Sequence, residues 1–339
     1  MPELPEVQTT VNGLNSRISG LTIGDVWTDY GGSFHKGKDS IKDPTFFAKF
    51  KKEVIGAKII SVTRRAKNIL IHVETESAGK NKSTTKHKSA DNKKIILIHM
   101  KMTGHILYGR YILDAKKAAK KQKDPWTPAP DEAEAFSDPF NRFIHFVMTL
   151  SNGQNVALSD MRKFAKVTLI DELPTGDANE KEILESLHLA NIGPEPLEKG
   201  FTYNIFKSRL QLRPNGRIKN VLMDQSIIAG VGNIYSDEAL WRTGLHPEEP
   251  VKNIPDSLLK KLYLDTRQVL EKGIDFGGDS MSDYRNIDGE RGKFQEQHNA
   301  YRKTGKKCTK PGCTGVILRK VVGGRSAHFC SVHQARLKK

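Results

Sequence analysis

Ala229-Gly230-Val231-Gly232-Asn233 separates two runs with helical spacing. Before it lies Arg217-Ile218-Lys219-Asn220-Val221-Leu222-Met223-Asp224-Gln225, and after it Ile234-Tyr235-Ser236-Asp237-Glu238-Ala239-Leu240-Trp241. The order is helix, glycine-rich turn, helix. Two glycines let the backbone approach a partner closely, and the N–H groups that open the second helix make an anion site. Asn233 has the chemistry of an N-cap and could reach a phosphate. A plain helical hairpin fits the same residues. Tyr203 to Leu212 and Leu258 to Leu270 add two amphipathic helices, so the second half of the chain reads as helical.

The half before it reads differently. Residues 21 to 175 hold short runs rich in β-branched residues, such as Ile59-Ile60-Ser61-Val62, Ile69-Leu70-Ile71-His72-Val73, Ile95-Ile96-Leu97-Ile98-His99, Phe143-Ile144-His145-Phe146-Val147 and Val167-Thr168-Leu169-Ile170. Turn signals separate them, which predicts a sandwich or barrel of antiparallel strands. Two polar insertions, about 79–94 and 115–139, read as solvated or disordered loops, and Trp126 in the second is unexplained. Asp171 to Glu182 reads as a linker. Three turns stand out: Thr63-Arg64-Arg65-Ala66-Lys67-Asn68 carries three cations, Lys101-Met102-Thr103-Gly104 leaves Met102 near a turn, and Ser159-Asp160-Met161-Arg162-Lys163-Phe164 mixes cations with an aromatic. Cations reach phosphates, and an exposed wedge beside them can enter a base stack. Met102 and Phe164 as core residues is the plainer alternative.

The N-terminus, Met1-Pro2-Glu3-Leu4-Pro5-Glu6, runs into a helix with apolar residues at Leu4, Val7, Val11, Leu14 and Ile18 that stops near Gly20. Loss of Met1 would leave Pro2 with a free secondary amine. An α-amine titrates near pH ~8, and the positive end of a helix disfavours its protonation further. With Glu3 beside it, this is equipment for Schiff-base chemistry. An ordinary helix start with dipole-matching acids fits too.

Charge and cysteines narrow the class. The 339 residues carry 55 Lys and Arg against 39 Asp and Glu, a net charge of +16. That excess points to a polyanionic partner, nucleic acid before membrane. With no membrane span or targeting segment in view, an intracellular, cytoplasmic protein is expected. The only cysteines, Cys308, Cys313 and Cys330, cluster at the end and are followed by His333. Three thiolates and an imidazole match a closed, structural zinc site rather than a disulfide framework. Val321-Val322-Gly323-Gly324-Arg325-Ser326 between the ligand pairs reads as a hairpin turn with Arg325 at its tip. Gly277 to Lys293 reads as a mobile loop that could close over a ligand.

Taken together the pieces resemble one family, the formamidopyrimidine-DNA glycosylases of the helix–two-turn–helix superfamily. The resemblance rests on Pro2-Glu3-Leu4-Pro5-Glu6-Val7, Arg64-Arg65-Ala66-Lys67, His99-Met100-Lys101-Met102-Thr103-Gly104, Ile192-Gly193-Pro194-Glu195-Pro196-Leu197, Gly230-Val231-Gly232-Asn233-Ile234-Tyr235, Asp283-Tyr284-Arg285-Asn286 and the finger. It implies an α+β chain: an N-terminal antiparallel β-sandwich domain with flanking helices (1–172), a helix–two-turn–helix domain (183–299) with a lesion-capping loop about 277–294, and a β-hairpin zinc finger (300–339). It implies a monomer acting on damaged double-stranded DNA, with one structural Zn2+, in a bacterial cytoplasm and held to the nucleoid through DNA. By position, Pro2 resembles the nucleophile, Glu3 the acid that opens the sugar, Lys67 the lysine that supports base removal, and Glu238 a buried acid near the amine. Met102, Arg162 and Phe164 resemble the residues that fill the gap left by an extruded base. Lys219, Gly232, Asn233 and Arg325 resemble the DNA-backbone contacts, and Asp283, Tyr284, Arg285 and Asn286 the loop over the base.

The chain departs from the family pattern in places. The first pair of finger cysteines is spaced by four residues and the last ligand is His333, where the family has two residues and a cysteine. Asp160-Met161-Arg162-Lys163-Phe164-Ala165 replaces the family's Asp-Pro-Arg-Arg-Phe-Gly. Leu4 after Pro2-Glu3 favours oxidised purines over the oxidised pyrimidines of the endonuclease VIII branch. A non-catalytic DNA-binding protein would need Pro2, Glu3 or Lys67 to be lost, and all three are present.

Overall fold

The computed structural model describes residues 1–75, 92–120, 122–171 and 188–337. Most of the first insertion and of the 171–182 linker lies outside them. The chain forms two compact units. One comprises residues 1–2, 6–190 and 279–292; the other comprises 3–5, 191–278 and 293–339. The stretch 279–292, expected with the helical half, therefore groups with the first unit.

The first unit is an antiparallel sandwich. One sheet has the order β1 (Ile23–Thr28), β8 (Ile144–Leu150), β9 (Asn155–Asp160), β5 (Gly104–Gly109). The other has β10 (Lys166–Asp171), β4 (Lys93–His99), β3 (Asn68–Glu74), β2 (Lys58–Arg65). One core joins them: Val26, Ile106, Phe146, Met148 and Leu158 from the first sheet meet Ile59, Ile69, Ile71, Ile96, Ile98 and Val167 from the second. Helix α1 (Leu4–Ile18) adds Val7, Val11, Leu14 and Ile18, and α2 (Pro44–Val54) adds Phe50 and Val54. The helix ends where Gly20 turns at φ +88.

The second insertion is folded, which corrects the expectation of a solvated loop. β6 (Tyr111–Leu113) pairs with β7 (Trp126–Pro128), and α3 (Ala115–Ala119) connects them. The cause lies in the alternation of the strands. Ile106, Phe146 and Leu158 point into the sandwich, so their neighbours Leu107, Val147 and Ala157 point out. Those outward residues are apolar and need a cover. Trp126, Tyr111 and Phe136 supply it, and Trp27 meets Trp126 edge to face with ring centres 5.8 Å apart. Trp126 is thus the anchor of a small outer core.

The second unit is helical: α4 (Tyr203–Gln211), α5 (Ile218–Met223), α6 (Asn233–Thr243) and α7 (Asp256–Asp275), followed by the hairpin β11 (Ile317–Val322) and β12 (Arg325–Cys330). Its core gathers Leu4, Phe206, Leu222, Tyr235, Leu240, Leu262 and Leu270. The hairpin turns at Gly323 and Gly324, both with positive φ, as a two-residue turn between twisted strands requires.

Candidate active site and metal centre

Helix α6 opens without a cap of its own. Gly232 occupies the N-cap, and Asn233, expected there, is the first helical residue. Glu3 provides the acceptor: its Oε1 takes the Ile234 N–H at 3.0 Å and its Oε2 the Tyr235 N–H at 3.5 Å. A carboxylate here satisfies two orphan donors and meets the positive helix end. A Cβ at Gly232 would stand 2.3 Å from the Glu3 carboxyl carbon. Gly230, at φ +91, carries the carbonyl that accepts the Leu4 N–H at 3.0 Å. The close approach read from the two glycines is therefore to the chain's own Glu3-Leu4. Pro2 is buried and Met1 half-exposed. Glu6, read only as a dipole-matching acid, is buried too, and its Oε1 accepts the Asp279 N–H at 2.8 Å.

Lys67 follows Ala66, which is held at φ 53 in the turn from β2 to β3, and its side chain is buried. Asn68 pairs with His99 across β3 and β4. Desolvation, and then the charges of Lys101 and Lys67, push the His99 imidazole down to about 3. His105 in β5 is buried and pushed down to about 4, first by desolvation. Both folded values lie below the ordinary 6.5, so the unfolded chain binds these protons first as pH falls. Their contribution to stability is complete above about pH 6.5 and is lost progressively as the pH falls from there toward the folded values. Thermal unfolding at pH 6.5 and pH 5 should show the loss, with both ring resonances still those of neutral imidazole at pH 5. Protonated rings at pH 5 in the folded protein would contradict this.

The Met102 turn and the Arg162–Phe164 turn sit at the same end of β5 and β9, where Gly104 pairs with Asp160. Asp160 is fully buried and joins them. Its Oδ1 accepts from Thr103 Oγ1 at 2.5 Å and from the Arg162 N–H at 3.3 Å. Its Oδ2 accepts from the Ala165 N–H at 2.7 Å and the Tyr30 hydroxyl at 3.1 Å. Phe164 is 48% exposed, and the Arg162 guanidinium lies 4.4 Å from its ring centre. A core role for Phe164 is excluded by that exposure. Lys101 (φ 57) and Lys163 (φ 55) hold left-handed conformations in these two turns. With Ala66 they make three of the five non-glycine residues at positive φ among the described residues, each strained by about 1 kcal/mol. Such strain concentrates at functional turns. Asp160 was visible in the sequence only as one acid in a basic run; its burial is what reveals it as the hub.

Two expected site residues lie elsewhere in their chemistry. Glu238 is buried, but its oxygens are used by the backbone N–H groups of Asn299, Ala300 and Tyr301 at 2.8, 2.9 and 2.8 Å. It is buried as expected, and it fastens the start of the finger. Lys219 is fully buried and ion-paired with Asp237, so it offers no exposed cation for a phosphate. Asp237, missed in the sequence, also accepts from His328 N–H and Nδ1, each at 2.9 Å. Arg325 is exposed at the hairpin tip, as expected. The Asn220 amide lies against Gly323 of that turn, and the amide oxygens of Asn220 and Asn233 are buried without a hydrogen-bond partner. The 277–293 stretch is not loose: Tyr284, Arg285 and Ile287 are buried, and the Tyr284 hydroxyl donates to Glu6 O at 3.0 Å.

Cys308, Cys313, Cys330 and His333 bring one donor atom each within 4.8 Å of one another and could hold a metal ion. Cys308 Sγ lies 3.3 Å from His333 Nδ1, and Cys313 Sγ 3.5 Å from Cys330 Sγ. Each thiol receives the backbone N–H two residues on, from Lys310, Gly315 and Val332. These donors favour thiolates; the Gly315 N–H leads in lowering Cys313 to about 6. His333 Nε2 donates to Trp241 O at 3.0 Å, which leaves Nδ1 with its lone pair toward the cluster.

Comparison with known proteins agrees with this architecture. The formamidopyrimidine-DNA glycosylase N-terminal domain family matches residues 1–167, and the formamidopyrimidine-DNA glycosylase H2TH domain family matches residues 192–285. A formamidopyrimidine-DNA glycosylase of Heliobacterium modesticaldum is 33% identical over 330 residues, spanning 97% of this chain and 98% of its own length. The Bacillus subtilis protein of the same name is 31% identical over 336 residues, 99% and 100% of the two chains. The Lactococcus lactis Fpg bound to abasic-site DNA superposes with a TM-score of 0.73 at 28% identity, over 98% of this chain and 100% of that one. A variant of that protein bound to Fapy-dG-containing DNA gives 0.73 at 28%, over 99% and 100%. Fold and site define a DNA glycosylase of the helix–two-turn–helix class. The chain belongs to the formamidopyrimidine-DNA glycosylase family, enzymes of base-excision repair. Among the described residues no helix is long and apolar enough to cross a membrane.

Proposed function

We propose that this enzyme removes oxidised purines, 8-oxoguanine and formamidopyrimidines, from duplex DNA and then cuts the strand at the same site. The observation that carries the reading is the N-terminal segment. Glu3 is held against the α6 N-terminus by two backbone donors, which fixes the residue next to the Pro2 amine. With Met1 removed, that amine attacks C1′ of the damaged nucleotide. The C1′–base bond breaks, Glu3 gives a proton to the departing ring oxygen, and an iminium joins Pro2 to the opened sugar. The iminium acidifies C2′–H, so β-elimination expels the 3′ phosphate; δ-elimination then expels the 5′ phosphate. Buried Lys67 is the proposed proton carrier for base loss and elimination. Met102, Arg162 and Phe164 fill the gap in the duplex, and Arg325 with Asn233 and the Gly232 backbone holds phosphates. Lys219 acts through Asp237 and the Asn233 carbonyl by ordering the start of α6. Asp283, Tyr284, Arg285 and Asn286 cover the extruded base. Glu238 serves as an anchor of the finger.

The metal is proposed to be zinc. Tetrahedral Zn–S bonds of about 2.3 Å put sulfurs about 3.8 Å apart, close to the spacing of the donors, and four protein ligands leave no open position. The ion would fix the hairpin and so present Arg325. Chelation should release one equivalent of zinc and weaken duplex binding about ten-fold or more, while the far-UV signal of the β-rich unit persists. Undiminished binding after zinc loss would remove the finger from recognition.

Borohydride should trap a covalent adduct on 8-oxoguanine:C duplexes at a much higher rate than on thymine glycol duplexes. The reverse preference would move the substrate to oxidised pyrimidines.

A further inference from the structure

The end of the second insertion and the turn after it carry side chains that hold another part of the same unit. Asp138 Oδ2 accepts from Arg285 Nε at 2.9 Å and pairs with its second terminal nitrogen at 2.8 Å. The remaining terminal nitrogen of Arg285 donates to Ser282 O at 3.0 Å and Tyr284 O at 2.8 Å, and the guanidinium lies 5.0 Å from the Phe140 ring centre. Arg285 is 3% exposed, so this cation is spent inside the protein. The other oxygen of Asp138 accepts the Phe140 N–H at 2.9 Å. Asn141 Nδ2 donates to Ala135 O at 2.8 Å and to Gly289 O at 3.2 Å. Both amide hydrogens are then used, so Asn141 Oδ1 must accept from His105 Nε2 at 2.9 Å. Gly289, at φ +79, lets the chain come this close: a Cβ there would stand 2.8 Å from Asn141 Nδ2. Strand β5 adds the Tyr108 N–H to Ile287 O at 2.7 Å. Phe136, two residues before Asp138, is locked in the outer core under Trp126 and Tyr111.

We propose that the end of the second insertion and the turn that follows it form a clamp: Asp138 and Asn141 hold residues 283–290 in a fixed shape, and that shape sets which extruded base is accepted. The proposal rests on the assignment of Asp283–Asn286 as the cover of the base. A cover that is already ordered loses little entropy when a base arrives, and it discriminates by fit. A cover that must order itself discriminates by closing. Asp138 and Asn141 are positioning residues, with no assigned contact to DNA. Their effect must therefore appear in steps that involve a base and be missing where no base is present.

In the full-length enzyme, Asp138→Ala and, separately, Asn141→Ala should speed amide hydrogen exchange across 283–290 by about ten-fold or more. Single-turnover excision of 8-oxoguanine should fall roughly ten-fold, while strand cleavage at a preformed abasic site stays within about two-fold. Asp138→Glu, which keeps the charge, should recover most of the excision rate. Unchanged exchange in both alanine variants overturns the clamp, as does an equal loss on the two substrates. Faster exchange with full 8-oxoguanine excision overturns its part in base choice. A wild type that cuts neither substrate defeats the glycosylase reading instead, so the two failures are separable. Asn141→Ala leaves every charge in place and carries the test if Asp138→Ala does not fold.

Discussion

A form of the protein that keeps Met1 should yield no borohydride-trapped adduct with lesion DNA, and its strand cutting should fall by about 10³-fold or more. An N-terminal methionine makes the Pro2 nitrogen a tertiary amide, which has no lone pair for attack on C1′. The Met1 amine is no substitute, because it is displaced by one residue from a position buried in the fold; Pro2 is buried where Met1 is 40% exposed. Mass measurement of the intact chain separates the two forms, and duplex binding should be equal in both. An adduct formed in good yield by the methionine-bearing form would remove Pro2 from the chemistry.

Glu3→Gln is expected to be the next most damaging change, lowering base excision by about 10² to 10⁴-fold while the fold is kept. The separation is possible because the helix cap and the proposed proton transfer use Glu3 differently. Its oxygens accept the Ile234 and Tyr235 N–H groups, and an amide oxygen can still accept one of them. A proton for the opening sugar can come only from the acid. Glu3→Ala removes both functions and should cost a further ~1 kcal/mol of stability, the usual loss for a helix cap. Unfolding curves and single-turnover rates measured on the pair would distinguish them. Equal activity in Glu3→Gln and the parent enzyme would rule the carboxyl out as the acid.

Much of this was readable from residues alone, for reasons that are local. The α1 stripe, the β-branched runs and the cysteine spacing each report on a few neighbouring positions, and α1, β3, β4 and the donor cluster stand where those patterns put them. What could not be read depends on partners far away in the chain. Lysines at 116, 117 and 120 gave the second insertion the look of a solvated loop, although Trp126, Tyr111 and Phe136 were the apolar signal that it covers Leu107, Val147 and Ala157. The glycines at 230 and 232 announced a close approach, but nothing within ten residues of them says that the visitor is Glu3. The partners of Glu238 and Lys219 were hidden in the same way: nothing near them in the chain tells that the backbone after residue 298 takes the one carboxylate or that Asp237 takes the other's ammonium. Asp160 is the converse case, an acid lost among cations that turns out to tie the Met102 and Arg162–Phe164 turns together.

The Glu3 cap also has a consequence for how the enzyme is made. Glu3 and Ile234, which its carboxylate caps, are 231 residues apart. During synthesis the first residues leave the ribosome long before the glycine turn and α6 exist. At about 5–20 residues per second the N-terminus waits roughly 10–50 s for its partner. In that interval it is an open peptide end, accessible to an aminopeptidase. Once Leu4 has paired with Gly230 and Glu3 has closed over α6, the same end is part of a packed unit. Processing of Met1 therefore competes with completion of the chain, and rapid overproduction should leave a fraction of well-folded molecules that keep Met1 and, with Pro2 as the proposed nucleophile, lack activity.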